Sequence, residues 1–135
     1  MKKILIVDDE PNIVMTLEYT FKKSNYEVFI ARDGQEALDI LKTNFPDVII
    51  LDIMMPMVDG FATLEQIRKD ANLQHTKVMF LSAKNKESDI EKGLALGADA
   101  YMTKPFSIKK VVEKVEELFI KFFIKRNKMI KNIGI

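Results

Sequence analysis

Six residues stand out for the chemistry that their types and positions allow: Asp8, Asp9 and Glu10 in a row, then Asp52, Ser82 and Lys104. Each group follows a short apolar run: Ile4–Val7, Val48–Leu51, Val78–Leu81 and the weaker Ala100–Thr103. If these runs are neighbouring parallel strands, the polar residues that end them share one rim. Asp8, Asp9 and Asp52 crowded there repel one another unless a cation sits among them. A hard divalent ion with oxygen ligands answers that need, and Mg²⁺ is the usual choice where few carboxylates, waters and a phosphate share the coordination. Lys104 adds a second positive charge and Ser82 a hydroxyl donor. Such a site suits a group with three anionic oxygens. A carboxylate at its centre, Asp52, can attack phosphorus and become an acyl phosphate. Singly, each residue has a plainer reading: Asp8-Asp9 as a helix-capping pair, Asp52 as a loop residue, Lys104 before Pro105 as a solvated surface lysine. Their joint placement, each at the end of its own strand, argues for a site.

The elements that must position them alternate between two periods. A further β-branched run lies at Val28–Ala31. Between the runs the apolar spacing becomes helical over about Ile13–Lys23, Gln35–Thr43, Phe61–Lys69 and Ser88–Leu96, with a last helix starting at Ser107. Asp33-Gly34 and Asp59-Gly60 mark turns before helices, Pro11 suits a first helical turn, Gly97 a helix end and Ser107 an N-cap. Five strand–helix repeats predict an α/β parallel sheet with helices on both faces. The near-continuous apolar strands predict a sheet buried on both sides. Ligands of such sheets bind outside the carboxyl ends of the strands, the rim already singled out.

At 135 residues, 47% apolar and 30% charged, the chain has the size and composition of one globular domain. It contains no cysteine, which excludes disulfides, thiolate metal sites and cysteine nucleophiles. Four apolar residues, Ile4–Val7, separate the N-terminal Lys2-Lys3 from Asp8, too few for a signal peptide or membrane span. Five of the 21 basic residues, Lys121, Lys125, Arg126, Lys128 and Lys131, fall after Leu118, where there is no acid. The preceding part keeps 16 bases against 20 acids, a net charge of −4, which does not suit direct nucleic-acid binding.

These stretches together resemble the receiver domain of bacterial two-component response regulators. The resemblance rests on Ile4-Leu5-Ile6-Val7-Asp8-Asp9-Glu10, Asp47 through Pro56, Asp59-Gly60, Leu81-Ser82-Ala83, Gly97-Ala98-Asp99-Ala100-Tyr101 and Lys104-Pro105-Phe106. It spans about residues 2–121, so that residues 1–121 are expected to form the receiver and 122–135 an extension of the last helix with a basic tail. The resemblance implies a flavodoxin-like (βα)5 fold with strand order 2-1-3-4-5. It implies Asp52 as the phosphoacceptor, and Asp8, Asp9, Asp52 and the main-chain carbonyl of Met54 as ligands of Mg²⁺, with Mn²⁺ as an alternative ion. Ser82 and Ala83 would face the phosphoryl group, Lys104 would pair with the acceptor, and Tyr101 would swap between outward and buried positions. The Lys104-Pro105 bond would be cis. The flanking positions Met54 and Lys84 carry no acid or amide to orient attacking water, which implies a phosphorylated lifetime of minutes or longer.

Function follows from the same resemblance: a cytoplasmic signalling domain, not an enzyme in its own right. Its expected partners are a sensor histidine kinase or phosphotransfer protein, then a downstream protein or an output domain outside this sequence, with a phosphorylation-dependent homodimer as an option. The sequence is most similar to the winged-helix DNA-binding branch of the family, yet Ala100 and Lys110 stand where that branch carries Asp and Glu for its dimer contacts. Two other classes share some of the chemistry. A haloacid-dehalogenase-type phosphohydrolase needs a second Asp at position 54, where this chain has Met54. A flavin binder of the same sheet order needs a Ser/Thr/Gly-rich loop after the first strand, where this chain has three acids. A partner-binding pseudo-receiver would lack one of the acids or Lys104. His75 reads as a surface residue, and Met54, Met55 and Met57 as packing. Past Leu118 the last helix turns apolar on nearly every side and then basic. That reads either as a fraying extension or as an interaction segment.

Overall fold

The computed structural model describes the backbone of residues 1–132 and the side chains of residues 1–121, 123 and 124. Five strands, β1 (Lys3–Val7), β2 (Glu27–Ala31), β3 (Val48–Leu51), β4 (Lys77–Ser82) and β5 (Ala100–Thr103), alternate with five helices. The helices are α1 (Pro11–Lys23), α2 (Gly34–Ile40), α3 (Gly60–Lys69), α4 (Glu87–Ala95) and α5 (Ile108–Asn132). The strands form one parallel sheet in the order β2-β1-β3-β4-β5. This is the expected (βα)5 arrangement.

Alternation along the strands divides the interior in two. Leu5, Val7, Ile49, Leu51, Val78 and Phe80 point to one face, where Ala37, Leu64 and Ile67 from α2 and α3 cover them. Ile4, Ile6, Val48, Ile50, Met79 and Leu81 point to the other, under Leu17 and Phe21 of α1 and Val111, Val115 and Leu118 of α5. The central strands are buried on both faces, while β2 and β5, at the edges, are half-buried over most of their length.

Local signals act as the sequence suggests. Asp33 and Asp59 cap α2 and α3 by accepting from the Glu36 and Ala62 amides at 2.8 and 2.9 Å. Pro11 occupies the first turn of α1, which receives no side-chain cap. Asp8 and Asp9 therefore do not serve as its N-cap. Gly97, with φ of 107°, turns the chain out of α4 as only glycine does easily. The helix expected to reach Thr43 ends at Ile40, where the chain passes into turns. A 3₁₀ turn at Ala71–Leu73, unforeseen, follows α3. His75 is half-buried rather than a surface residue, with Nδ1 enclosed and without a hydrogen-bond partner. The side chains of Phe122 and of the basic tail lie outside the described residues, although the α5 backbone runs on to Asn132.

Candidate functional site

The register of the sheet brings the polar strand ends together. Val7 pairs with Leu51, Leu51 with Phe80, and Ser82 with Thr103. The next residues continue the ladder: the Asp52 amide donates to the Val7 carbonyl at 2.9 Å, and the Lys104 amide to the Ser82 carbonyl at 2.8 Å. Asp8, Asp52, Ser82 and Lys104 consequently meet on one rim. Carboxylate oxygens of Asp8, Asp9 and Asp52 all lie within 4.8 Å of one another. Asp8 and Asp52 are buried and Asp9 is exposed.

Lys104 organises the cluster. Its ammonium lies 2.9 Å from Asp8 Oδ2, 3.3 Å from Glu10 Oε2 and 3.6 Å from Asp52 Oδ2. The Ile53 and Met54 amides, at 2.8 and 3.4 Å, fix Asp52 Oδ1, and the Glu10 amide fixes Asp8 Oδ1 at 2.9 Å. Burial pushes both carboxyls above their usual range, and the bonds and charge of Lys104 counter it only in part. Burial alone would lower the Lys104 ammonium, but Asp8, Asp52 and Glu10 outweigh it and leave it raised. Two buried carboxylates share one ammonium, with a third at the surface. The donor set is all hard oxygen with a charge deficit, and it fits a divalent cation.

Gly60 is required by this geometry: a Cβ there would collide with the main chain of Asp52 and Ile53. Met54 is exposed beside Asp52. Ser82 ends β4 inside the strand rather than beyond it, and its hydroxyl accepts from the Lys84 amide at 3.3 Å. Ala83 is exposed and lines, with Glu10, Ile13, Lys104, Pro105 and Phe106, an open cleft beside the acids. The Lys104-Pro105 bond is cis.

Tyr101 is half-buried and its hydroxyl donates to the Lys84 carbonyl at 2.6 Å. Its ring packs at 5.7 Å on Phe80, which in turn meets Phe61 edge-on at 5.6 Å. Gly93 of α4 lies against both Phe80 and Tyr101. The sequence reading passed over Phe80, Gly93 and the Lys84 carbonyl. An apolar residue in a buried strand, a glycine in a helix and a main-chain oxygen carry no signal of their own. Glu10 was visible as an acid but not as a partner of Lys104.

Comparison with known proteins agrees with this geometry. Residues 4–116 match the family model described as the response regulator receiver domain. The chain is 45% identical over 117 residues to the alkaline phosphatase synthesis transcriptional regulatory protein PhoP of Bacillus subtilis, covering 87% of this chain and 48% of that protein. It thus spans about half the length of this curated relative. Among solved structures, the receiver domain of Francisella response regulator 1452 superposes with a TM-score of 0.83 at 37% identity, covering 90% of this chain and 98% of that one. The chemotaxis response regulator CheY4 of Vibrio cholerae gives 0.82 at 30% identity, covering 87% and 98%. With the fold, the strand-end acids and the family match in agreement, the chain belongs to the response regulator receiver domains of two-component signalling.

Proposed function

We propose that the chain is a phosphorylation switch in which Asp52 accepts a phosphoryl group from a phosphohistidine of a sensor kinase or phosphotransfer protein in the cytoplasm. The observation that carries this reading is Lys104 held between buried Asp8 and Asp52, with Asp9 completing a three-carboxylate cluster. In the transfer an Asp52 oxygen forms a bond to phosphorus as the P–N bond to the histidine breaks, and the imidazole leaves. Main-chain amides of Ile53 and Met54 fix one Asp52 oxygen while the other faces Lys104. The Lys104 ammonium and the Ser82 hydroxyl would hold the oxygens of the transferred group. Mg²⁺, or Mn²⁺ in its place, would be held by Asp8, Asp9, Asp52 and the Met54 carbonyl, and when bound supplies neutralisation of phosphoryl charge. Ser82 and Ala83, drawn towards the phosphate, would pull on the loop whose Lys84 carbonyl holds Tyr101, shifting the population at the α4–β5–α5 face. Residues 1–121 would form the switch unit and 122–135 lead to whatever it controls, a separate protein or an output domain. No direct nucleic-acid contact is assigned to this unit. A haloacid-dehalogenase-type hydrolase is disfavoured by Met54 at the position of its second acid, and a pseudo-receiver by the intact acids and Lys104.

Incubation with radiolabelled acetyl phosphate tests the reading. We expect one label per chain with Mg²⁺, little without it, none in Asp52→Asn, and decay over minutes or longer. Undiminished label in Asp52→Asn would sink the assignment.

A further inference from the structure

Glu10 stands at the rim without belonging to the carboxylate cluster of Asp8, Asp9 and Asp52. It precedes α1 in extended conformation, with φ of −88° and ψ of 110°, and its side chain makes no capping hydrogen bond to that helix. The side chain is 57% exposed, and its Oε2 lies 3.3 Å from the Lys104 ammonium. That ammonium is itself 3.6 Å from Asp52 Oδ2, so Lys104 links an exposed acid to the acceptor. Glu10 and Lys104 line a cleft whose other walls are apolar, formed by Ile13, Ala83, Pro105 and Phe106. A slot of apolar walls with one carboxylate and one ammonium fits a flat ring that carries an N–H and a phosphoryl group.

We propose that Glu10 selects the phosphodonor: its carboxylate accepts a hydrogen bond from the second ring nitrogen of phosphohistidine and so favours donors with a P–N bond over acyl phosphates. The inference rests on Asp52 being the acceptor. In the transfer an Asp52 oxygen bonds to phosphorus, the P–N bond breaks, and its electron pair returns to nitrogen. A ring that is protonated on its second nitrogen departs as neutral imidazole, and an unprotonated ring as an anion. A carboxylate beside that nitrogen favours the protonated ring and makes a charge-assisted hydrogen bond to it. An acyl phosphate differs at the same point. Its P–O bond breaks to release a carboxylate, which has no N–H to offer and carries a negative charge towards Glu10. One side chain thus attracts one class of leaving group and repels the other, and discrimination uses both. Lys104 does not discriminate in this way, because the phosphoryl oxygens that it meets are common to both donors.

Rates of phosphorylation of the full chain with Mg²⁺, followed by intact-protein mass spectrometry, test this with two small donors, phosphoimidazole and acetyl phosphate. Glu10→Gln keeps the length of the side chain and removes its charge. We expect its rate with phosphoimidazole to fall about tenfold, while its rate with acetyl phosphate is unchanged or higher. Glu10→Ala should shift the ratio of the two rates in the same direction, which separates loss of the carboxylate from any new contact of the amide. If Glu10 does no more than hold Lys104 in place, both donors slow alike in both variants, and that result would overturn the proposal. So would a wild-type chain that takes the phosphoryl group from acetyl phosphate and not from phosphoimidazole. Label in Asp52→Asn from either donor marks a different failure, that of the acceptor assignment itself. Circular dichroism melts establish that the variants compared are folded.

Discussion

At the scale of single residues, Lys104 decides the electrostatics of the rim. Its ammonium lies 2.9 and 3.6 Å from two carboxylates whose side chains are only 3% and 4% exposed. Lys104→Ala would leave both buried and unpaired, a change that costs about 3 kcal/mol near neutral pH. The direction with pH follows from the raised carboxyls. Asp8 and Asp52 titrate above their ordinary value of 3.8 because burial disfavours the charged form. Their contribution to stability is full below that value and is lost as pH rises through the folded-state pKa. Removing Lys104 raises them further, so the melting-temperature deficit of Lys104→Ala should be larger at pH 7.5 than at pH 5. An equal deficit at both would show that packing, not charge, is what Lys104 supplies. Tyr26 offers a contrasting case. Its hydroxyl is buried without a partner, and burial and the Glu116 and Asp47 charges push it up to about 12. Its ring still packs edge-on to Phe21 at 5.1 Å. Tyr26→Phe keeps that contact and removes the orphan, so thermal unfolding should show it unchanged or more stable by up to about 1 kcal/mol.

At the scale of elements, Arg68 holds the end of α3 to the turn between α4 and β5. Its guanidinium donates to the Gly97 carbonyl at 2.8 and 3.0 Å, to the Thr76 carbonyl at 2.9 Å and to Asp99 at 3.0 Å. Arg68→Ala leaves these acceptors unsatisfied and should cost about 2–3 kcal/mol in chemical denaturation. Arg68→Lys should recover little, because a point charge cannot span the fork. Elements of this kind also mark what the sequence could disclose. The five strands were legible because their apolar runs are short and bounded, and the rim acids because each ends such a run. The arginine clamp was not: nothing in the spacing of Arg68 from Gly97 and Asp99 shows that they touch until α3 and β4 are packed. The end of α2 was misplaced because Ala37, Leu38 and Leu41 keep helical spacing into the turns that follow Ile40. The path from Ser82 through the Lys84 carbonyl to Tyr101 was half legible, its main-chain oxygen being invisible in side-chain types.

At the scale of the whole molecule, a cation at the rim should register as global stability. Binding to the folded state alone adds about 1.4 kcal/mol at ten times the dissociation constant. We expect millimolar MgCl₂ to raise the melting temperature of the wild type. Asp9→Ala should remove most of that increment while leaving the metal-free melting temperature nearly unchanged, because Asp9 is exposed. A full increment in Asp9→Ala would exclude it as a ligand. Among the described residues, no helix is long and apolar enough to cross a membrane. The sheet itself has a consequence of another kind. It separates the core beneath α2, α3 and α4, against which Tyr101 packs, from the core beneath α1 and α5. If phosphorylation acts through Tyr101 as proposed, its first repacking falls in the first compartment, with the sheet standing between it and α1. Such a wall would act as a damper: a partner docked on α4 would register the change first, and one docked on α1 last.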